Sequence, residues 1–207
     1  MKAPQTTVFV IDDDEAVRNA LRLLLKSVGL PVRTFVSAQE FLPSYDVRQP
    51  GCLVLDIRMP GMSGLELQEQ LTLRGATIPV IFITGHGDIP MAVEAMQHGA
   101  FDFLQKPFRD QDLLDRLQRA LERDRTLRAR LSAVDQIRER WQTLTPRERE
   151  VLELMIAGKA NKVMAGDLQV SQRTIEIHRA RVMEKMQADS LAALVRMMMD
   201  LHHADGE

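Results

Sequence analysis

The sequence contains a single cysteine, Cys52, among its 207 residues. One cysteine cannot form an internal disulfide, so a disulfide-stapled fold is excluded and a reducing compartment is favoured. The longest apolar stretches, 8–11 and 78–83, fall far short of the ~18 residues that a membrane span requires. The opening residues, MKAPQTT, lack the apolar segment of an export signal. These absences predict a soluble cytoplasmic protein with no membrane partner.

The chain also lacks an excess of positive charge. Lys and Arg number 27 against 29 Asp and Glu, which gives a formal net charge of -2. This balance excludes a uniformly basic coat for nucleic acid, although it allows a local basic face. Hydrophobic residues make up 45% and charged residues 27% of the chain, enough apolar surface for a buried core. The length is that of one or two domains of ~100–200 residues.

The first 110 residues alternate between short apolar runs and amphipathic stretches. Short, nearly continuous apolar runs are typical of strands buried on both faces of a parallel sheet. Capping boxes are predicted at Ser37 and Ser63, and helix ends at Gly29, Gly75 and Gly99. The pattern predicts an open, doubly wound α/β domain of five strand–helix units. The predicted strands are 8–11, 32–35, 53–55, 80–83 and 101–104.

Residues from about 109 to 141 carry Leu, Val and Ile at helical spacing amid dense Arg and Glu, with no Gly or Pro. This pattern predicts the last sheet-covering helix followed by a helical linker, and a break near Asp124 is left open. Whether the linker communicates or is only a solvated charged helix is also left open. We assign residues 1–121 to the first domain, 122–141 to the linker and 142–207 to a second domain.

Residues 142–207 contain no convincing strand. A capping box at Thr145, with Pro146 at the first helical position, predicts a helix that ends at Gly158. A short helix, a tight turn and a longer helix that begins at Ser171 follow, and this order is typical of a helix-turn-helix. A last apolar helix completes an all-α unit of four helices. The three later helices are predicted at 161–168, 171–186 and 190–201.

Charged and hydroxyl side chains follow the predicted strands of the first domain. The carboxyl ends of parallel strands share one edge of the sheet, and in open α/β sheets that edge carries the ligand site. If the first and third strands are neighbours, the carboxylates after them converge. The residues at this edge are Asp12, Asp13 and Asp14 after the first strand, Asp56 in the third, Thr84 in the fourth and Lys106 after the fifth.

Clustered carboxylates need a counter-charge. Two carboxylates ~5 Å apart repel by ~3 kcal/mol at an effective dielectric near 20, so either one stays protonated or a hard cation neutralises them. Oxygen ligands with open positions suit Mg²⁺. Lys106 and Thr84 would add a cation and a hydroxyl donor for a transferring phosphoryl group. Asp56 is the candidate acceptor, because a carboxylate can form an aspartyl phosphate. Asp14 is assigned to helix capping instead.

Particular segments of the chain resemble a known family. In the first domain VFVIDDDE, LVLDIRMPGMSG, VIFITGHGD and FDFLQKPF resemble the receiver domain of two-component response regulators. The stretch from LTPREREVLELM to HRARVMEKM resembles the helix-turn-helix effector of the NarL/LuxR class. Their combination in one chain, together with the segment ITGHGDIPMAVEAM, is similar to the FixJ-type subgroup of the NarL/FixJ family. The resemblance covers the chain outside the linker and tail, and it implies the strand order 2-1-3-4-5.

The resemblance implies a role for each carboxylate. Asp56 becomes the phosphoacceptor for a partner sensor histidine kinase. Asp12, Asp13, Asp56 and the carbonyl of Arg58 become the ligands of Mg²⁺, with Asp13 a direct ligand and Asp12 acting partly through water. The chain is then a phosphoacceptor regulator rather than an enzyme, with slow self-dephosphorylation left open.

The resemblance also implies how the first domain changes state. Lys106 contacts a phosphoryl oxygen, and a cis bond to Pro107 holds it in place. Thr84 and Phe103 match the switch pair of the family. Phosphorylation draws the hydroxyl toward the phosphoryl group and turns the ring inward, which remodels the face formed by the fourth helix and the fifth strand.

The second domain is expected to bind promoter DNA weakly as a single copy. It carries nine Lys and Arg against ten Asp and Glu, so few phosphate contacts are available. Two copies on two half-sites are therefore needed, and a homodimer formed on phosphorylation becomes the control point. The resemblance also implies RNA polymerase as a partner and activation as the outcome.

The resemblance distributes the DNA contacts over the helix-turn-helix. Glu176, Ile177 and Ala180 face base edges. Arg181 fits either a DNA contact or a solvated surface charge. The residues expected to anchor phosphates without reading sequence are Lys162, Arg173, Thr174 and Arg179.

Two other classes of function compete with a DNA-binding regulator. A phosphatase of the haloacid-dehalogenase type would need a second Asp two residues after Asp56, where this chain has Arg58, which cannot act as an acid or base at neutral pH. A pure interaction switch would use the helical half to bind a partner helix or RNA. His86 is interpreted as a structural or surface residue, and Cys52 as a small hydrophobic one.

Overall fold

The computed structural model describes residues 5–85 and 89–206. The chain divides into two units, Met1–Arg128 and Ala129–Glu207. His86 lies outside the described residues, so its predicted role has no structural counterpart here. Within the described ranges, no helix combines the length and the apolar character needed to cross a membrane.

The first unit contains a five-stranded, all-parallel sheet in the order β2-β1-β3-β4-β5. The predicted fold class and strand order are confirmed. All five residues of β1 and of β4 are buried, as expected for strands covered on both faces. The strands are β1 (Thr7–Ile11), β2 (Val32–Phe35), β3 (Gly51–Asp56), β4 (Val80–Thr84) and β5 (Asp102–Gln105).

Helices cover both faces of this sheet. One apolar cluster surrounds Phe9, Phe41 and Phe82, and a second, on the opposite face, includes Leu25 and Leu113. Two separate clusters on one sheet define the doubly wound architecture. The elements are α1 (Glu15–Ser27), α2 (Ala38–Phe41) with a short 3₁₀ turn (Leu42–Ser44), α3 (Gly64–Leu73), α4 (Ile89–Gln97) and α5 (Asp110–Gln142).

The two capping boxes predicted in the first unit, at Ser63 and Ser37, differ in one hydrogen bond. At Ser63 the capping box is complete, since the serine and Glu66 each accept from the backbone N–H of the other. Ser37 also accepts from the N–H of Glu40. The Glu40 carboxylate, however, accepts from Val36 N at 2.8 Å rather than from Ser37. The capping box at Ser37 is therefore only half formed, because the Glu40 carboxylate binds the N–H of Val36, the residue before the serine.

Helix α5 is continuous over 33 residues, so the break considered near Asp124 is absent. Asp124 is only 1% exposed and accepts from Gly51 N and from Arg128 Nε, each at 2.9 Å. The Arg128 guanidinium donates in turn to backbone carbonyls of residues 47–49. Two residues assigned to the linker by sequence thus bind the loop before β3. The linker boundaries themselves stay a prediction.

The second unit contains helices joined by short loops and no strand among its described residues. Its core joins Val134 and Ile137 of α5 to Leu152, Ile175 and Leu194 from three later helices. The last helix continues beyond its predicted end at Leu201 and reaches Gly206. The helices after α5 are α6 (Pro146–Ile156), α7 (Asn161–Asp167), α8 (Gln172–Met186) and α9 (Leu191–Gly206).

A buried ion pair joins α6 to α8. The Glu148 carboxylate is 2% exposed and accepts from Thr145 N at 2.9 Å and from Lys185 Nζ at 2.6 Å. The predicted capping box at Thr145 is complete. Burial raises the pKa of Glu148, but the hydrogen bonds from Lys185 and Thr145 outweigh it and hold the pKa below its ordinary 4.5. This carboxylate therefore stabilises the folded unit while it is ionised.

We predict that Glu148→Gln lowers the free energy of unfolding of the second unit by about 1–2 kcal/mol at neutral pH. A depressed folded pKa gives stability that is present above the unfolded pKa and lost as pH falls through the folded value. The difference from wild type should therefore stay constant from about pH 7 to about pH 5 and shrink between about pH 4.5 and about pH 3. Urea unfolding of the full chain measures it, read by the fluorescence of Trp141, the only tryptophan, which stacks on Arg149.

Glu153→Gln is the matched control, because Glu153 lies on the same helix and is exposed. Its unfolding free energy should stay within about 0.5 kcal/mol of wild type. A Glu148→Gln effect that is equally large at both ends of the pH range would contradict the ionised pairing.

Candidate functional site

The carboxyl ends of β1, β3, β4 and β5 bring the predicted polar residues of the first unit to one edge. Asp12 follows β1, Asp56 is the last residue of β3, and Thr84 is the last residue of β4. Residues 11 and 55 are paired neighbours in the parallel register, which places Asp12 and Asp56 side by side. The convergence expected from the sequence follows from β1 and β3 being adjacent.

Lys106 lies between two of these carboxylates. Its Nζ donates to Asp12 Oδ2 at 2.9 Å and to Asp56 Oδ2 at 2.8 Å. Its backbone N–H donates to the carbonyl of Thr84 at 2.7 Å, which fixes the loop after β5 against the end of β4. The bond to Pro107 is cis, as the resemblance implied. One ammonium group thus holds two carboxylates that would otherwise repel.

Burial and hydrogen bonding act in opposite directions on these charges. Burial raises the pKa of Asp12 above its ordinary 3.8, although hydrogen bonds from Lys106 and from Asp14 N oppose the shift. Burial lowers the pKa of Lys106, but its hydrogen bonds to Asp12 and Asp56 outweigh that effect, and the net pKa lies above 10.5. The lysine is therefore a fixed positive charge beside the buried Asp12 carboxylate.

A third carboxylate completes the cluster. Oxygens of Asp12, Asp13 and Asp56 lie within 4.8 Å of one another, and they form a group that could hold a metal ion. The three differ in exposure, since Asp12 is buried, Asp13 is exposed and Asp56 is half-buried. An oxygen-only donor set that is open on one side fits a hard divalent cation such as Mg²⁺. Arg58 N donates to Asp56 Oδ1 at 3.0 Å, while the predicted role of the Arg58 carbonyl stays a prediction.

Two residues that support this edge, Arg18 and Gly64, were missed from the sequence. Arg18, on α1, donates to the carbonyls of Asp12 and Asp13 at 2.7 and 2.8 Å and so fixes the acidic loop. Asp14 caps α1 as expected, and its own N–H binds Asp12 Oδ1. A Cβ on Gly64 would lie 2.3 Å from the carbonyl oxygen of Asp56. Only glycine lets α3 start this close to the end of β3.

The two predicted switch residues, Thr84 and Phe103, differ in how deeply they are buried. Thr84 is 1% exposed, at the end of β4. Phe103, in β5, is half-buried and packs against the cluster around Phe9. Strands β4 and β5 are neighbours, with Phe82 opposite Phe103 and Thr84 opposite Gln105. Thr84 and Phe103 therefore lie on adjacent strands. Their movement on phosphorylation stays a prediction.

The second unit presents a separate candidate surface. Ser171 caps α8 by accepting from Thr174 N at 3.1 Å. Ile175, Val182 and Met186 are fully buried on one side of this helix. Glu176, Ile177 and Ala180 are exposed on the other side, and Ile177 keeps 47% of its surface. An exposed Ile beside an acceptor and a small residue is an unusual solvent face but a suitable one for base edges.

The predicted phosphate anchors are less uniform. Lys162 and Arg173 are exposed, and Arg179 is half-buried. Thr174 already shares a 2.8 Å hydrogen bond with Ser171 Oγ, so its hydroxyl also serves the helix cap. Lys185, which the sequence adds to the local positive charge, is engaged by Glu148 and by the carbonyl of Thr143. The basic face is therefore weaker than the sequence alone indicates.

Both units match described protein families. Residues 8–118 match the family described as "Response regulator receiver domain", and residues 142–198 match "Bacterial regulatory proteins, luxR family". The chain is 50% identical over 190 residues to "Transcriptional regulatory protein FixJ" of Azorhizobium caulinodans, covering 92% of this chain and 90% of the relative. It is also 50% identical to "Nodulation protein W" of Bradyrhizobium diazoefficiens, covering 92% and 84%.

Solved structures agree with these relatives. The response regulator StyR is similar with a TM-score of 0.88 and 49% identity, covering 94% of this chain and 98% of that one. Full-length FixJ from B. japonicum is similar with a TM-score of 0.59 and 43% identity, covering 97% and 99%. The resemblance inferred from sequence motifs is confirmed by both comparisons.

We predict that Mg²⁺ binds the acidic edge and that Asp13→Asn raises the dissociation constant by more than about tenfold. One carboxylate at ~4 Å from a cation contributes more than ~1.4 kcal/mol at an effective dielectric near 20. Isothermal titration calorimetry on the full chain measures the affinity. Asp14→Asn is the control, because asparagine still caps a helix and Asp14 lies outside the cluster. Equal affinities for wild type and Asp13→Asn would contradict the site.

Proposed function

Because this chain belongs to the two-component response regulators that join a receiver domain to a LuxR-type DNA-binding domain, we propose a specific signalling step. A partner histidine kinase phosphorylates Asp56 in a reaction that requires Mg²⁺. Phosphorylation promotes dimerisation of the chain and its binding to promoter DNA. The regulated output is transcription, with RNA polymerase as a further partner and activation as its direction, in the cytoplasm.

The contact of Lys106 with Asp56 carries this proposal. Of the three clustered carboxylates, Asp12 is closed to an incoming donor by burial, and Asp13 is not contacted by Lys106. Asp56 alone among them combines a partly open side chain, 14% exposed, with the Lys106 ammonium on one oxygen and Arg58 N–H on the other. A nucleophile needs both access and fixed orientation. Asp56 is therefore the acceptor.

The chemical step is a transfer between two nucleophiles. The P–N bond of a phosphohistidine breaks while a P–O bond to an Asp56 oxygen forms, and the imidazole leaves. Asp12, Asp13 and Asp56 would hold Mg²⁺, which supplies charge neutralisation to the phosphoryl oxygens. Lys106 orients the attacking carboxylate and then offers its ammonium to a phosphoryl oxygen.

The kinase needs a surface beside Asp56 on which to dock. An apolar groove of about 690 Å³ lies against Lys106 and Pro107, between α1 and the start of α5. Leu23 on its rim is 66% exposed. An open apolar groove next to the acceptor suits a helix of the partner kinase.

Phosphorylation changes the contacts of a residue that already joins two elements. Lys106 binds Asp12 and Asp56 through its side chain and Thr84 through its backbone. A phosphoryl dianion on Asp56 gives the ammonium and the Thr84 hydroxyl a new partner. Packings in which the Thr84 hydroxyl lies toward the phosphoryl group and the Phe103 ring is turned inward become more stable than the others. The population shift is expressed on the face of α4 and β5.

DNA binding then depends on the number of copies. A second domain with nearly balanced charge, whose Lys185 is held by Glu148, makes few phosphate contacts as a single copy. Joining two copies adds the second half-site at a high effective concentration. Dimerisation is therefore sufficient to turn weak binding into strong binding.

A phosphatase is the competing function for the acidic edge. It would require an acid or base two residues beyond the acceptor, and this position holds Arg58, whose backbone N–H instead binds Asp56. Nothing in this donor set removes the phosphoryl group rapidly. We therefore propose a regulator that carries the phosphoryl group rather than an enzyme that turns it over.

We predict that a phosphodonor kinase or an acyl phosphate labels the full chain only when Mg²⁺ is present, and that Asp56→Asn abolishes the label. The label should be base-labile, as an acyl phosphate is. Light scattering should show a dimer for the labelled wild type alone. Two further variants are labelled in parallel. Asp13→Glu changes a carboxylate of the cluster, and Asp46→Asn, the control, changes an exposed carboxylate outside it. Full labelling of Asp56→Asn would refute the assignment.

We predict that residues on α8 make two kinds of DNA contact, one to phosphates and one to bases. Promoter fragments found by mapping where the protein binds across the genome serve as the test DNA. Arg173→Ala should weaken binding to every fragment alike and reduce its salt dependence, because it removes a phosphate contact. Glu176→Ala should cost ~1–3 kcal/mol on the operator and relax the preference at one base pair. Fluorescence anisotropy against single-base variants of the operator distinguishes them. Loss of sequence preference in Arg173→Ala, but not in Glu176→Ala, would reverse the roles.

A further inference from the structure

Asp124 and Arg128 of α5 form an ion pair at the opposite end of β3 from the acidic edge. The Asp124 carboxylate is 1% exposed and accepts from the N–H of Gly51, the first residue of β3, whereas Asp56 is the last residue of that strand. No step of the proposed phosphoryl transfer uses this pair. A buried carboxylate away from the reacting atoms needs an explanation of its own.

The Arg128 guanidinium binds a whole loop in addition to Asp124. Its Nε donates to both Asp124 oxygens at 2.9 Å. Its two terminal nitrogens donate to the carbonyls of Arg48 and Gln49 at 2.9 Å and to that of Val47 at 3.3 Å. These carbonyls lie 79 to 81 positions earlier in the chain. A planar group with five N–H donors can hold such a set, whereas a lysine ammonium cannot.

This ion pair fixes a position more than it adds stability. Desolvation of the two charges offsets much of their attraction, and apolar side chains of similar volume would stabilise a fold as well. A shift of α5 along the loop, however, would leave a buried carboxylate and several carbonyls without donors. Asp124 and Arg128 therefore hold α5 at one position against the start of β3. We call this pair, with the N–H of Gly51 and the carbonyls of residues 47–49, the anchor.

The anchor lies where the chain leaves the first unit, which ends at Arg128. Residues 129–133 are all exposed, and the next core residues, Val134 and Ile137, belong to the second unit. The last fully buried apolar residue of α5 in the first unit is Ala120. Without the anchor, the chain could therefore leave the first unit about two helical turns earlier. The anchor thus determines how long the segment is that belongs to neither core.

We propose that the anchor restricts the spacing of half-sites that the phosphorylated dimer accepts on promoter DNA. This inference rests on the proposed function, in which phosphorylation joins two copies that bind two half-sites. A short connection gives the second copy a high effective concentration only at half-sites that its length can reach, and a longer connection tolerates more spacings. An anchored α5 makes the dimer selective for the spacing of its operator as well as for the sequence.

Hydrogen exchange of the unphosphorylated full chain tests the anchor itself. The double variant Asp124→Ala, Arg128→Ala removes both charges together, so neither is left unpaired, and alanine favours the helix. Its amides at Gly51 and in residues 122–128 should exchange at least about tenfold faster than in wild type, while those of β1 should not change. Arg125→Gln, an exposed change on the same helix, is the matched control and should exchange as wild type does.

DNA binding by the chain labelled with an acyl phosphate tests the role of the anchor in spacing. Fluorescence anisotropy compares the operator with a fragment that carries an insert of about 5 bp, which turns one half-site by half a helical turn. Wild type and Arg125→Gln should lose at least about tenfold in affinity on the insert, and the double variant should lose at least about threefold less. All three proteins should bind a single half-site equally, because the second unit is unchanged.

The proposal is overturned by unchanged exchange at Gly51 and residues 122–128, or by the same loss on the insert in wild type and the double variant. Weaker binding of the double variant to a single half-site would also overturn it. A wild type that takes no label contradicts the proposed function and the spacing role with it, whereas the exchange measurement needs neither phosphate nor DNA and still tests the anchor. If the double variant fails to fold, Arg128→Lys, which keeps the charge but lacks the planar donors, decides both measurements.

Discussion

The ammonium group of Lys106, held between Asp12 and Asp56, is the interaction on which the first domain depends. Parallel pairing of β1 with β3 brings two carboxylates together, and Lys106, in the loop after β5, supplies a cation that offsets their repulsion. The same geometry leaves one oxygen-rich side open toward Asp13. In the function we propose, two carboxylates that would only repel each other in a purely structural protein form part of a site for a divalent cation and a phosphoryl group. Strand pairing determines where these charged side chains lie, and their charges determine which ligands the edge can bind.

The sequence predicted what local patterns encode. Short apolar runs identified the strands of a parallel sheet, and the position of Asp12, Asp56 and Lys106 after those strands identified the edge on which they meet. Contacts between distant segments left no such pattern. Asp124 reads as a solvated residue in a charged helix, yet it binds Gly51, 73 residues earlier. Glu148 was recognised as a cap, but its partner Lys185 lies on another helix.

The second domain shows how modest electrostatics can serve regulation. Its net charge is close to balanced, and the Lys185 ammonium on α8 is paired with Glu148. The exposed side of α8 keeps Glu176, Ile177 and Ala180, side chains suited to discriminating bases rather than to attracting phosphates. A reading surface that is selective but weakly attractive makes occupancy sensitive to the number of copies present. In the function we propose, that sensitivity is what couples phosphorylation of the first domain to DNA binding by the second.

The central claim is that Asp56 and Lys106 form a single receptor for a phosphoryl group. A crystal structure of the full chain with Mg²⁺ and beryllium trifluoride, a stable phosphoryl analogue, tests it most directly. We expect the analogue on an Asp56 oxygen, a fluorine within hydrogen-bond distance of Lys106 Nζ, and the metal bound by Asp12, Asp13 and Asp56 together. An analogue on another carboxylate, or a Lys106 ammonium that turns away from it, would contradict the claim.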